Sequence, residues 1–123
     1  MPVLRSQSPA DLPLKLVFLT VLAAVTWLSL AAGAPPPPPG ISDKIKHTSA
    51  YTVLGITGLL AFSKHPGRLA GFLLGWGILM EIGQKFVPGR SPEAADVLAN
   101  LLGIALAWFV MRTWLRNRQA PSA

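Results

Sequence analysis

Uncharged stretches dominate the pattern of apolar and polar positions. No charge occurs from residue 16 to 41, and residues 48–63 are all apolar, small or hydroxyl-bearing. Residues 69–80 are again uncharged and run into Glu81, while 97–111 follow Asp96 and contain the single amide Asn100. A helix crossing a bilayer core of about 30 Å needs about 20 residues. The pattern therefore predicts four spanning helices, over 14–34, 45–62, 69–87 and 93–115. The second is short and requires local thinning or snorkelling flanks. Five consecutive prolines, 35–39, separate the first two segments. They predict a stiff polyproline II spacer outside the bilayer, because such a segment cannot satisfy its own backbone there.

The first segment has a rival reading as a signal peptide ending in Ala32-Gly33-Ala34. Pro35 directly after that site opposes cleavage, and the apolar run is long for such a leader, so a retained helix is expected. The fold class expected is all-α: an integral membrane bundle of four transmembrane helices with both termini cytoplasmic. Residues 1–13 form a cytoplasmic tail, 14–115 a single membrane domain, and 116–123 a basic cytoplasmic tail.

Composition and charge agree with this picture. Charged residues make up 13% of the 123, about half the share usual in soluble domains. Orientation follows Lys and Arg. Arg5, Lys15, Lys64, Arg68, Arg112, Arg116 and Arg118 fall on one side, against Lys44, Lys46, Lys85 and Arg90 on the other. Asp11 lies on the first side, and Asp43, Glu81, Glu93 and Asp96 on or toward the second, leaving net charges of +6 and zero. The richer side is read as cytoplasmic, in a multi-pass membrane protein. The basic stretch 112–118 reads as a topology signal and headgroup anchor rather than a nucleic-acid site. With no cysteine, disulfides, thiol nucleophiles and Cys-ligated metals are excluded.

In this topology nearly every intramembrane polar group gathers at the outer ends of the last three helices. Asp43 and His47 are four residues apart, Glu81 and Gln84 three, and Asp96 and Asn100 four, so each pair shares a helix face. Tyr51, Gly55 and Gly58 continue the first face, and Gly103 and Ala107 the last. Gly67, Gly71 and Gly75, with Gly77, predict a small-residue seam in the third helix; such seams allow close packing in lipid. Ser42, and Ser91 followed by Pro92 and Glu93, predict N-caps. Two positive helix ends beside Lys44 and Arg90 suit a phosphate or carboxylate, although Asp43, Glu93 and Asp96 can fill those ends themselves.

Glu81 is the strongest candidate for chemistry, since intramembrane ionisable groups are costly and commonly functional. Its bland alternative is an interfacial acid paired with Arg90 or Lys85. His47 is the candidate proton partner, giving an acid/base pair. Asp43, Lys44, Gln84, Arg90, Asp96 and Asn100 are candidate ligand-binding groups. A lone histidine among carboxylates scattered along the chain predicts no metal, and no cofactor is expected. His65 reads as a loop residue, and Trp27, Trp76, Trp108 and Trp114 as packing or interface residues.

The order Asp43-Lys44, His47, Tyr51, Leu54-Gly55; Glu81, Gln84, Phe86, Pro88-Gly89-Arg90; Glu93, Asp96, Asn100, Gly103 resembles the VanZ-like family. These are small bacterial membrane proteins named for an accessory protein of teicoplanin resistance. The likeness covers a core of 43–103, with Thr48 where members often carry an aromatic. It implies a multi-helix envelope protein with a link to glycopeptide antibiotic response, and it supplies no reaction. Partners expected are the lipid bilayer and an anionic lipid or cell-wall precursor, with no nucleic acid; a homo-oligomer is left open. Two alternatives stand beside this pocket. One is a structural or interaction protein whose polar residues form an interhelical network. The other is a transporter, which the absence of acids in the inner half disfavours outside an oligomer.

Overall fold

The computed structural model describes residues 11–31, 41–88 and 93–119, except the side chains at 11, 41–43, 118 and 119. These residues form four helices: α1 (Asp11–Leu30), α2 (Ile41–Ala61), α3 (Pro66–Gln84) and α4 (Ala94–Gln119). No strand occurs among the described residues. Each helix matches one uncharged run, with shifted ends. Pro13 lies in the first turn of α1, where a missing N–H is harmless. Pro66 likewise opens α3, whose first helical bond runs from Leu69 N–H to the His65 carbonyl.

The ends depart from expectation for local reasons. α1 stops at Leu30 rather than 34, ahead of Gly33 and the prolines. α2 begins at Ile41, so Ser42 lies inside the first turn and not at the N-cap. α3 ends at Gln84 rather than 87. Lys85, Phe86 and Val87 donate to carbonyls three residues back, at 3.1, 3.0 and 3.2 Å, and this tightened turn leads to Pro88, which cannot extend a helix. α4 begins at Ala94 with Glu93 immediately before it; the predicted cap Ser91-Pro92 lies outside the described residues. Without Gly or Pro between 104 and 119, α4 continues through the basic stretch to Gln119, past the predicted end at 115.

The most extensive helix pairing is α2 on α4, and missing side chains make it close. A Cβ placed on Gly55 would collide with that of Ala107, and one on Gly103 with the Thr48 carbonyl oxygen. The predicted seam of α3 is corrected: Gly67, Gly71 and Gly75 have nothing within 4 Å of a Cβ position, and all three are exposed. Only Gly77 of that set packs inward, because it alone lies on the face toward α2 and α4. Phe18, Tyr51, Leu54, Leu73 and Ile104 form the heart of the core. α1 is tied to α3 by two polar contacts, Trp76 Nε1–H to Thr26 Oγ1 (3.0 Å) and Gln84 Nε2–H to the Ser29 carbonyl (3.1 Å).

Among the described residues two helical stretches, Leu12–Leu30 and Ala94–Asn117, are long and apolar enough to cross a membrane. Leu16, Leu19, Trp27 and Leu28 on α1, and Leu98, Leu102 and Phe109 on α4, all face outward. The hydroxyls of Thr20, Thr26, Thr52 and Thr57 donate to carbonyls four residues back, at 2.7–2.8 Å. Such bonds satisfy a hydroxyl without water or a partner helix.

Candidate functional site

Three helix faces meet at one end of the bundle. α2 contributes Lys44, His47 and Tyr51; α3 contributes Gly77 and Glu81; α4 contributes Asp96 and Asn100, with Glu93 just ahead. His47 and Tyr51, Gly77 and Glu81, and Asp96 and Asn100 are each four residues apart, so each helix presents one member above the other. The result has two polar layers.

The outer layer is ionic. Lys44 Nζ donates to Glu93 Oε2 (2.9 Å) and to Asp96 Oδ1. The other carboxylate oxygen of Asp96 lies 3.8 Å from His47 Nε2. Glu81 Oε2 accepts from the backbone N–H of Glu93 (3.2 Å). One ligand atom each from His47, Glu81 and Asp96 lies within 4.8 Å of the others. Glu81 and Asp96 are 7% and 3% exposed, so both carboxylates are withdrawn from solvent.

The inner layer is neutral. His47 Nδ1 lies 3.1 Å from Asn100 Oδ1, and that acceptor draws the neutral ring's proton to Nδ1. Thr48 Oγ1 donates to the Ala99 carbonyl (3.2 Å), adding an α2–α4 bond. Gly77 makes room: a Cβ there would stand 2.8 Å from Asn100 Nδ2 and 3.4 Å from Tyr51 Oη. Tyr51 is 2% exposed, and its hydroxyl has no hydrogen-bond partner among the described residues. Buried polar atoms nearly always have one, so this hydroxyl needs an explanation.

Of the candidate residues, the structure places Lys44, His47, Glu81, Asp96 and Asn100 together. Gln84, one turn past Glu81 at the end of α3, is buried but bonds to Ser29 of α1 rather than to the cluster. The side chain of Asp43, and Arg90 entirely, lie outside the described residues. Lys44 carries two carboxylate hydrogen bonds, so it enters the site as part of an ion-pair network. The positive end of α4 meets protein carboxylates too, since Asp96 lies in its first turn and Glu81 accepts the Glu93 N–H. Among the described side chains Lys44 is the cation set against Glu81, Glu93 and Asp96, and that described arrangement is acidic. Lys85 is exposed.

Tyr51 and Gly77 join the site without having been singled out for chemistry. The signal available for each was its offset of one turn from His47 and from Glu81. The grouping of His47, Glu81 and Asp96 is invisible in spacing, because it joins three helices. Chemically, a buried carboxylate beside an imidazole can exchange a proton with a bound group, and the acidic balance favours cationic character at the centre. No family model, curated protein or solved structure matches the chain.

Proposed function

We propose that this chain is a multi-pass protein of the bacterial cytoplasmic membrane with a VanZ-like core, its four helices crossing the bilayer and both termini cytoplasmic. Its polar cluster opens to the outer leaflet and binds or modifies an anionic lipid or cell-wall precursor, in a role linked to glycopeptide response. Glu81 and His47 carry the proton transfer, and Lys44, Asp96 and Asn100 orient them. Asp43, Arg90 and Gln84 complete the proposed ligand-binding set, Gln84 by fixing α3 against α1.

The observation that carries the reading is the burial of the Glu81 carboxylate at the meeting point of three helices, beside an imidazole. An acid in such a position is costly, and a hydrogen bond to one backbone N–H is poor compensation for a purely structural carboxylate. Topology is supported by the distribution of Lys and Arg and by the apolar outer faces of α1 and α4.

The test is a deletion strain complemented with wild type or Glu81→Gln, scored by envelope-lipid and cell-wall-intermediate profiles and by teicoplanin susceptibility. The wild-type gene restores profile and susceptibility, whereas Glu81→Gln, inserted at equal level, does not. Full complementation by Glu81→Gln overturns the reading.

A second reading has its own observation. The chain of contacts Lys44–Asp96, His47–Asp96 and His47–Asn100 ties α2 to α4, as a structural network would. On that reading Glu81→Gln lowers stability and function together, and the protein acts through a partner surface.

A further inference from the structure

We infer that His47, Glu81 and Asp96 form a divalent-cation site, of the kind that takes zinc, at the junction of α2, α3 and α4. The three donors are one imidazole nitrogen and two carboxylate oxygens, all within 4.8 Å of one another. Mixed nitrogen and oxygen donors from three side chains match a zinc site that keeps a further position for water or ligand. In tetrahedral geometry donor atoms about 2.0–2.2 Å from the metal stand about 3.4 Å apart. His47 Nε2 and Asp96 Oδ2, at 3.8 Å, close by a few tenths of an ångström, and the widest pair, within 4.8 Å, by up to about 1.4 Å.

Each donor is also held from behind, as metal ligands generally are. His47 Nδ1–H donates to Asn100 Oδ1 (3.1 Å), which turns the Nε2 lone pair toward Asp96. Asp96 gives its other oxygen to Lys44. Glu81 is fixed by the Glu93 N–H at 3.2 Å. Three ligands with three separate supports are more than helix packing requires.

Two further observations point to an occupant. Tyr51 Oη is buried without a hydrogen-bond partner among the described residues, beside Gly77 and Asn100 and one turn beneath His47. It is the donor that a metal-bound water or ligand oxygen would meet. Charge among the described side chains points the same way: Lys44 opposes Glu81, Glu93 and Asp96, and a divalent ion would offset the excess of negative charge in that group.

The ion's bearing on a ligand rests on the binding part of the function proposed above, and it replaces proton transfer by His47 and Glu81, whose lone pairs the ion would occupy. It supplies the positive charge with which an acidic cluster receives an anionic headgroup, since the hydrogen bonds of Lys44 go to carboxylates. The metal site itself does not depend on what the pocket binds.

The experiment uses the full chain in lipid nanodiscs, stripped with chelator and titrated with Zn²⁺ or Co²⁺. Metal per chain is read by mass spectrometry and the site by the visible absorption of Co²⁺. About one ion binds per wild-type chain and raises its thermal midpoint. Affinity falls more than about tenfold in His47→Gln and Glu81→Gln, and about tenfold in the supporting variant Asn100→Ala. Far-UV circular dichroism verifies folding of each variant. Should one not fold, the wild-type titration decides alone: no saturable binding, or binding without a shift in the midpoint, overturns the site. Equal binding by folded His47→Gln does so as well. If wild type binds zinc while Glu81→Gln still complements the deletion strain, the metal site stands and the functional reading fails.

Discussion

Replacing Asp96 with asparagine removes the charge that joins α2 to α4 while keeping the side chain's shape. Asp96 is 3% exposed, receives a hydrogen bond from Lys44, and lies in the first turn of α4. A hydrogen bond to a charged group contributes about 1.5–3 kcal/mol. The lower end applies because the Lys44 side chain is 28% exposed and keeps Glu93. Loss of a carboxylate from a helix's first turn adds about 0.3–1 kcal/mol. Asparagine retains an acceptor oxygen, so the net loss is about 1.5–2 kcal/mol. Lys44→Met leaves Asp96 buried near Glu81 without its cation, a loss of about 3 kcal/mol, at the low end for breaking a buried pair. In the double variant neither residue strands the other, so the losses do not add, and the coupling is about 1–2 kcal/mol. The assay is reversible unfolding in mixed micelles, followed by far-UV circular dichroism. Lys46→Met serves as control, because Lys46 is exposed, and it changes stability by less than about 0.5 kcal/mol. A coupling below about 0.3 kcal/mol, the additivity of independent sites, would refute the ion-pair assignment.

Further predictions concern packing and the inner layer. Gly103→Ala drives a methyl group into the α2 backbone at Thr48 and lowers stability by about 1–3 kcal/mol, whereas Gly71→Ala meets open space and gains up to about 1 kcal/mol of helix propensity; the same unfolding assay compares them, and equal effects would refute the packing. Tyr51→Phe removes an unpartnered buried hydroxyl and stabilises the chelator-treated protein by about 1 kcal/mol, read as a higher midpoint. Gln84→Leu cuts the bond to Ser29 and loosens α1, increasing hydrogen exchange in α1 with little effect on α4.

The helices were readable because uncharged runs and the charges between them mark helix-length apolar segments regardless of tertiary detail. Convergence of His47, Glu81, Asp96 and Asn100 was readable for a related reason: antiparallel connectivity brings the start of one helix beside the end of the next. Spacing could not say which partner each group takes. Lys44 looks like an anion clamp in sequence and lies in an ion-pair network in the structure, because Glu93 and Asp96 arrive at the start of α4 from some fifty positions away. Gln84 shares the approximate face of Glu81, yet it reaches α1. The glycines of α3 illustrate the same limit. Four-residue spacing identifies a smooth stripe, but only tertiary packing decides that Gly77 is covered and Gly71 is open.

The central claim is that the buried outer cluster serves a bound group rather than the fold. Glu81→Gln tests it most directly, since the amide preserves size and can still accept the Glu93 N–H. Stability and cellular activity of that variant should be measured at matched membrane levels. The account predicts that the chelator-treated variant lies within about 1 kcal/mol of chelator-treated wild type in stability, together with loss of the envelope phenotype. A variant that retains the phenotype, or loses it only in proportion to its stability, would contradict it.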